Sequence, residues 1–117
     1  MAKLTIQDCL EAGLAPTFTA ASAGGDTMPN DGRTFLWVKN GGSGTCNVTM
    51  TAQRTALTVQ NYGPVTKSNG GGAILASAEK AFGPFAPGAF NDATGQVDIT
   101  YDEVTSVTVA AVRLPQV

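Results

Sequence analysis

The sequence predicts an all-β fold, a single-domain antiparallel β-sandwich that spans residues 1–117. Three observations favour this fold class. Short runs of alternating apolar and polar residues recur along the chain, turn-forming residues separate them, and 14 Gly and 6 Pro supply those turns. With 117 residues, the chain is long enough for one hydrophobic core and too short for two. A jelly-roll-like sandwich and a partly closed barrel share these patterns, so the strand order stays open.

The first predicted element is a short N-terminal helical turn. Thr5 and Asp8 have the spacing of a capping box, and Gly13 supplies a natural stop after an apolar face. Two turns of helix are marginal alone, so this element must dock on the rest of the domain. The competing interpretation is a strand that starts at residues 4–6 and continues as a turn.

The clearest strand pattern lies in residues 34–39. Phe35 and Trp37 fall on one face of that strand, and Leu36 and Val38 fall on the other. Because both faces are apolar, we expect this strand at the centre of a sheet, with Trp37 packed in the core. The remaining elements follow from weaker patterns. They are strands over residues 15–20, 46–52, 56–59, 74–82, 96–101 and 107–114, with a loop over 21–32.

Composition excludes several classes of partner. Charged residues make up only 14% of the chain, well below the roughly one quarter that is usual in globular domains. A surface so poor in charge favours burial at subunit contacts, so we expect a homo-oligomer. The formal net charge of −2 and the scattered Lys and Arg residues argue against a nucleic-acid partner. No signal-peptide pattern and no apolar run of roughly 20 residues is present, so we expect a cytoplasmic origin and no membrane partner.

The residue types that catalysis needs are missing or scattered. The chain has no His, which removes the commonest general base and the usual Ser- and Cys-based nucleophile systems. The carboxylates of Asp98 and Asp102 share a strand face, and a solvated strand face explains them better than an acid–base pair. Cys9 and Cys46 are expected to be reduced, with a disulfide as the alternative. We therefore predict no enzyme activity, no metal and no cofactor.

Five segments, taken in their order and spacing, resemble a group of small structural proteins of tailed bacteriophages. They are residues 26–40, 83–85, 90–92, 97–101 and 107–111. The chain is similar to the head-decoration, or cement, proteins of that group over about residues 4–114, and residues 53–72 match least. The resemblance implies a β-sandwich on the outer surface of the assembled capsid. Such a protein bridges neighbouring major capsid subunits, often as a trimer, and reinforces the shell.

Decoration proteins often use a terminal arm or a loop to hold the capsid lattice. Carried over to this chain, that property implies an arm from Met1 to Ile6 and a loop over residues 21–29. The candidate shell or oligomer contacts are Leu4, Ile6, Thr27, Met28 and Pro29.

Two other functions stay open. Within virions, the alternative is a subunit of a tail tube or a head–tail connector, which is also rich in β-structure. Outside virions, the alternative is a carbohydrate-binding module, with Trp37, Tyr62 or Tyr101 as an exposed stacking platform.

Overall fold

The computed structural model describes residues 2–53, 56–59, 63–66 and 68–114, and it describes 56–59 and 63–66 by their backbone alone. Within this part of the chain, twelve strands and one helix follow one another. They are β1 (Ala2–Lys3), β2 (Ile6–Asp8), β3 (Thr19–Ala20), β4 (Asp26–Pro29), β5 (Thr34–Asn40), β6 (Cys46–Met50), β7 (Ala56–Val59), β8 (Gly63–Thr66), β9 (Gly70–Ile74), β10 (Glu79–Phe82), α1 (Pro87–Phe90), β11 (Gln96–Tyr101) and β12 (Val107–Arg113).

Two five-stranded sheets pack as a sandwich. The first sheet has the order β1-β4-β11-β6-β9, and the second has the order β10-β5-β12-β2, with β3 also paired to β12. β7 and β8 form a separate hairpin. The prediction of purely antiparallel sheets is wrong. Both sheets are mixed, because β1 runs parallel to β4 and β2 runs parallel to β12. Both parallel strands belong to the N-terminal segment, which crosses from one sheet edge to the other instead of forming a hairpin.

The N-terminal segment corrects a second prediction. Residues 6–8 form strand β2 rather than a helical turn, and they pair with the end of β12. The side-chain amide of Gln7 adds two hydrogen bonds of 2.8 Å, one to the carbonyl and one from the N–H of Thr17. Pairing with a long central strand stabilises this segment more than two isolated helical turns would. The helix that the structure does contain is α1, a single turn with Pro87 near its start.

Strand β5 is central, as predicted, because it lies between β10 and β12. Leu36 and Val38 are completely buried in the core. Trp37 is half-buried on the opposite, outer face of the sheet, where its ring meets the ring of Phe18 edge-on at 6.0 Å. The expectation that Trp37 packs in the core is therefore wrong. Successive side chains of a strand point to opposite faces, and in β5 the core takes Leu36, Val38 and their even-numbered neighbours.

The single strand predicted over residues 74–82 is two strands in different sheets, β9 and β10. The chain turns between them at residues 75–78, where Ser77 has a φ of 60°. A left-handed backbone conformation is uncommon for Ser, and no Gly or Pro marks this turn in the sequence. The turn carries the chain from the first sheet to the second.

The core lies between the two sheets. Its largest completely buried side chains include Met28, Leu36, Met50, Ile74 and Ile99. Around it, four antiparallel pairs form a nested series: β4 with β11, β5 with β10, β6 with β9, and β7 with β8. The first and third pairs belong to the first sheet and the second pair to the second sheet, so the chain passes back and forth between the sheets.

Candidate functional site at the N-terminal seam

The N-terminal strands lie at one side of the sandwich, where they border both sheets. β1 ends the first sheet beside β4, with Ala2 opposite Asp26. β2 and β3 lie along β12 in the second sheet. We call this side, made by residues 2–8 and 17–29, the N-terminal seam.

The two segments predicted as contacts meet at this seam. The Leu4 N–H donates to the Thr27 carbonyl at 2.8 Å, next to the pairing of β1 with β4. Residues 26–29 are strand β4 and correct the prediction of a loop. These four residues alternate between the two faces of the sheet, and this alternation directs Met28 into the core. Turn-forming residues on both sides made the sequence pattern resemble a loop. Met1, the first residue of the predicted arm, lies outside the described residues.

The five predicted contact residues differ in how accessible their side chains are to a partner. Met28 is completely buried and Leu4 is 8% exposed, so both side chains belong to the core. Ile6, Thr27 and Pro29 are half-buried and present part of their side chains at the surface. A partner docked at the seam would therefore touch the last three side chains first.

A groove of about 500 Å³ opens at the seam between the two sheets. Its walls come from β1 and Asp26 on one side and from β3, Gln7 and β12 on the other. Most of the lining side chains are small or apolar, and the two charged ones are Lys3 and Asp26. The volume lies within the range of about 300–1,000 Å³ that is usual for ligand pockets.

Asp26 is a buried carboxylate in the wall of this groove. The residue is only 1% exposed. Its Oδ2 accepts hydrogen bonds from the Tyr101 hydroxyl at 2.8 Å and from the Ser22 N–H at 3.3 Å. Its Oδ1 is also buried and accepts no hydrogen bond from the described residues. Because a buried carboxylate oxygen without a donor costs free energy, a donor supplied from outside would be favourable here.

The three aromatic residues considered as a stacking platform lie in different places. Tyr101 is turned toward Asp26, and burial raises the pKa of its hydroxyl far above the usual value, with a further rise from the hydrogen bond to Asp26. That hydroxyl therefore remains a donor and holds Oδ2 in place. Trp37 is half-buried on the outer face of the second sheet, and Tyr62 lies outside the described residues.

A smaller hollow of about 170 Å³ lies at the other end of the seam, between β4, β5 and Arg113. Arg113 donates two hydrogen bonds to Asp8, at 2.7 and 3.2 Å, and these bonds hold the pKa of the Asp8 carboxyl below its usual value. Arg33 forms an ion pair with Asp31 at 3.0 Å. All four side chains are at least one third exposed, so each pair contributes little to stability.

The carboxylates considered for acid–base chemistry are engaged separately. Asp102 accepts two hydrogen bonds of 2.7 Å from Asn47. Asp98 accepts one of 3.2 Å from Gln53, while burial raises the pKa of Asp98 and the neighbouring Asp92 raises it further. Within residues 2–53 and 68–114, no group of three Cys, Asp or Glu side chains is placed to hold a metal ion.

Both cysteines are free thiols. Cys46 is completely buried, and Cys9 is half-buried. The Sγ of Cys46 donates to the Glu103 carbonyl at 3.2 Å, and burial raises the pKa of this thiol. Cys46 therefore serves as a small core residue.

No helix in the described part of the chain is long and apolar enough to cross a membrane. No protein-family model, curated protein or solved structure matches this chain.

Proposed function

We propose that this protein is a head-decoration, or cement, protein of a tailed bacteriophage. It binds the outer surface of the assembled capsid, bridges neighbouring major capsid subunits and stabilises the shell. It acts by binding alone, without a catalytic site or a cofactor. The resemblance of residues 26–40 and the later segments suggests this role, and the geometry of the N-terminal seam is the observation that carries it.

The seam has the features of a docking edge. β1 and β2 end their sheets on this side, as β9 and β10 do on the other, and within the described residues no further strand pairs with β1 or β2. Free strand edges can pair with an extended segment of another protein. Beside them, Ile6, Thr27 and Pro29 present partly exposed side chains, and the groove is open. Both predicted contact segments therefore border the same side of the sandwich, where a capsid subunit could bind.

The strand order supports a jelly-roll-like version of the sandwich. The nested pairs are those of one long hairpin that has been rolled up, in which β4·β11 and β6·β9 lie in the first sheet, β5·β10 lies in the second, and β7·β8 is the separate terminal hairpin. β12, β2 and β3 extend the second sheet beyond this series, and β1 extends the first. Jelly rolls occur in viral capsid domains and also in lectins, so the fold agrees with the proposal without establishing it.

The outer face of the second sheet is suited to self-association. Phe18, Phe35 and Trp37 are half-buried there, and the ammonium of Lys39 lies 4.1 Å from the centre of the Phe18 ring. Aromatic residues are enriched in the centres of protein interfaces. We assign the contacts of a homo-oligomer, for which a trimer is favoured, to this face, and the contact with the major capsid protein to the seam.

Copy number in purified virions tests the proposal. Quantitative mass spectrometry against the major capsid protein should give hundreds of copies per particle, as expected for a protein spread over the head. A copy number that corresponds to one ring or a short stack of rings would instead identify a connector or tail-tube subunit. Absence of the chain from purified particles would reject both.

The position of Trp37 favours a carbohydrate-binding module as the second candidate function. Its ring lies on an outer sheet face and is partly accessible, as a sugar-stacking platform requires. Titration of the isolated protein with soluble glycans, measured by isothermal titration calorimetry, separates this function from decoration. Saturable heat of binding that is lost in Trp37→Ala would support it, and no heat of binding with any glycan would reject it.

A further inference from the structure

We propose that the groove at the N-terminal seam is a binding site for a lysine side chain, whose ammonium donates to Asp26. The proposal rests on the decoration role, because the lysine is taken to belong to the capsid subunit on which the protein sits. The ammonium site itself can be tested on the isolated protein.

The carboxylate of Asp26 has one oxygen to offer. Oδ2 is occupied by Tyr101 and by the Ser22 N–H, whereas Oδ1 has no donor among the described residues. The ion pairs found in the described residues join Arg33 and Arg113 to Asp8 and Asp31, so none of them supplies a cation to Asp26. A buried carboxylate with one free oxygen favours a cationic donor over a neutral one, because hydrogen bonds to charged groups are the stronger ones.

A single free oxygen distinguishes lysine from arginine. A guanidinium is best bound by two carboxylate oxygens at once, and Oδ2 is not available for that geometry. An ammonium is a compact point charge that needs one acceptor and can place its other donors elsewhere.

The walls of the groove suit the stem of the same side chain. Leu4, Val109 and several alanines provide an apolar lining that a chain of methylene groups can cover. The volume of about 500 Å³ exceeds one lysine side chain, so neighbouring residues of the bound segment would enter with it. The occupant that fits is therefore an extended protein segment with a lysine at its centre.

Access to Oδ1 requires a local movement, and strand β1 is the neighbouring element best able to supply it. This oxygen has almost no exposed surface in the free structure, so a ligand must first displace part of its cover. Ala2, the register partner of Asp26, belongs to β1, which has only two residues, both exposed. The hydrogen bond from the Ala2 N–H to the Gly25 carbonyl is long, at 3.3 Å. A shift of this short strand would open the carboxylate without disturbing the long strands of the core.

The test uses hexylammonium as a minimal lysine mimic, with hexanol and hexanoate as neutral and anionic isosteres. Each is titrated into the isotope-labelled protein, and backbone amide shifts are followed by NMR. We expect hexylammonium to shift the amides of residues 2–5, 19–22 and 109–111 in a saturable way, with hexanol weaker and hexanoate without effect. Equal binding of hexanol and hexylammonium, or shifts confined to other surfaces, would overturn the proposal.

Two matched variants separate the charge of Asp26 from the net charge of the protein. Asp26→Asn should weaken hexylammonium binding by about tenfold or more, because the charged acceptor is lost. Asp98→Asn, on the neighbouring strand β11, changes the net charge of the protein by the same amount as Asp26→Asn and should leave binding unchanged. Equal binding by all three proteins would contradict the site. Should Asp26→Asn fail to fold, Thr19→Leu, at an exposed position in the groove wall, should block binding by filling space, and unchanged binding would contradict the site.

Attachment to heads distinguishes this inference from the proposed function. Wild-type protein should decorate heads that lack it, and Asp26→Asn should do so with about tenfold lower affinity. Normal decoration by Asp26→Asn would overturn the capsid lysine as ligand. If no form of the protein attaches to heads, the decoration role and the capsid lysine both fail, and the hexylammonium titration alone decides whether the ammonium site exists.

Discussion

The two flanks of the sandwich differ in how completely their strands are paired and packed. At the flank of β9 and β10, consecutive strands pass from one sheet to the other, and each pairs along its whole length with a longer or equally long neighbour, β6 or β5. At the N-terminal seam, three strands of two or three residues border a groove of about 500 Å³. Regions with few buried contacts open at lower free energy than cores do. One flank therefore serves stability, and the other is suited to binding.

The largest expected effect on stability comes from a substitution in the core of the flank formed by β9 and β10. Ile74 is completely buried in β9, and Ile74→Ala should lower the free energy of unfolding by about 2–5 kcal/mol through lost burial and a cavity. Urea denaturation followed by tryptophan fluorescence measures it. Its neighbour Leu75 is 66% exposed, so Leu75→Ala should change stability by less than about 0.5 kcal/mol. Similar losses for the two variants would contradict the assignment of this flank.

A second change tests the backbone of the same flank. Gly71 has a φ of 112°, and a Cβ at this position would overlap the Val48 carbonyl oxygen. Gly71→Ala should therefore destabilise the protein by about 2 kcal/mol or more, because β9 must move away from β6. Gly72 is the matched control, since a Cβ there would meet only the Phe82 ring at 3.7 Å. A thermal unfolding midpoint that falls equally in both variants would contradict the observed register.

At the seam, the same kind of truncation should cost less. Leu4 is 8% exposed and lines the groove, so one side of its chain already lacks close neighbours. Leu4→Ala should lower the free energy of unfolding by about 2 kcal/mol, at the low end of the usual range for such changes. The variant should nevertheless lose attachment to heads more than Ile74→Ala does, when both are measured as folded protein. A larger stability loss for Leu4→Ala than for Ile74→Ala would reverse the comparison of the flanks.

The smallest effect concerns acid sensitivity at the edge of the seam. The hydrogen bonds from Arg113 lower the pKa of Asp8 from its usual value of 3.8. Because the folded-state pKa is the lower one, this pair stabilises the protein above about pH 4 and loses its contribution as the pH falls below that value. Asp8→Asn should therefore flatten the decline of the urea midpoint between about pH 5 and pH 2. An unchanged pH profile would show that this exposed pair is not populated in solution.

The strands of the core could be predicted from sequence because their signals are local. The alternation in β11 and the apolar residues of β5 and β12 reflect burial in the core, and these patterns predict all three elements close to their observed bounds. The sequence does not indicate the turn between β9 and β10, because Ser77 adopts a left-handed backbone conformation that is uncommon for Ser.

The seam could be predicted only in part, because its structure comes from distant pairings. The sequence indicates the segments around Leu4 and Thr27 separately, and it carries no local signal of their pairing as β1 and β4. Strands of two or three residues carry too short a pattern to distinguish from loops or caps. The burial of Asp26 depends on Tyr101, which is 75 residues away, so no local signal could have indicated it.

In the proposed role, this chain lies on the outside of a phage head with its N-terminal seam against the shell. Cryo-electron microscopy of a virion that carries the chain tests it most directly. We expect density at the local three-fold or two-fold axes of the head, with β1, β2 and β4 facing the major capsid protein. Density confined to the neck or tail, or a seam that faces solvent, would contradict it.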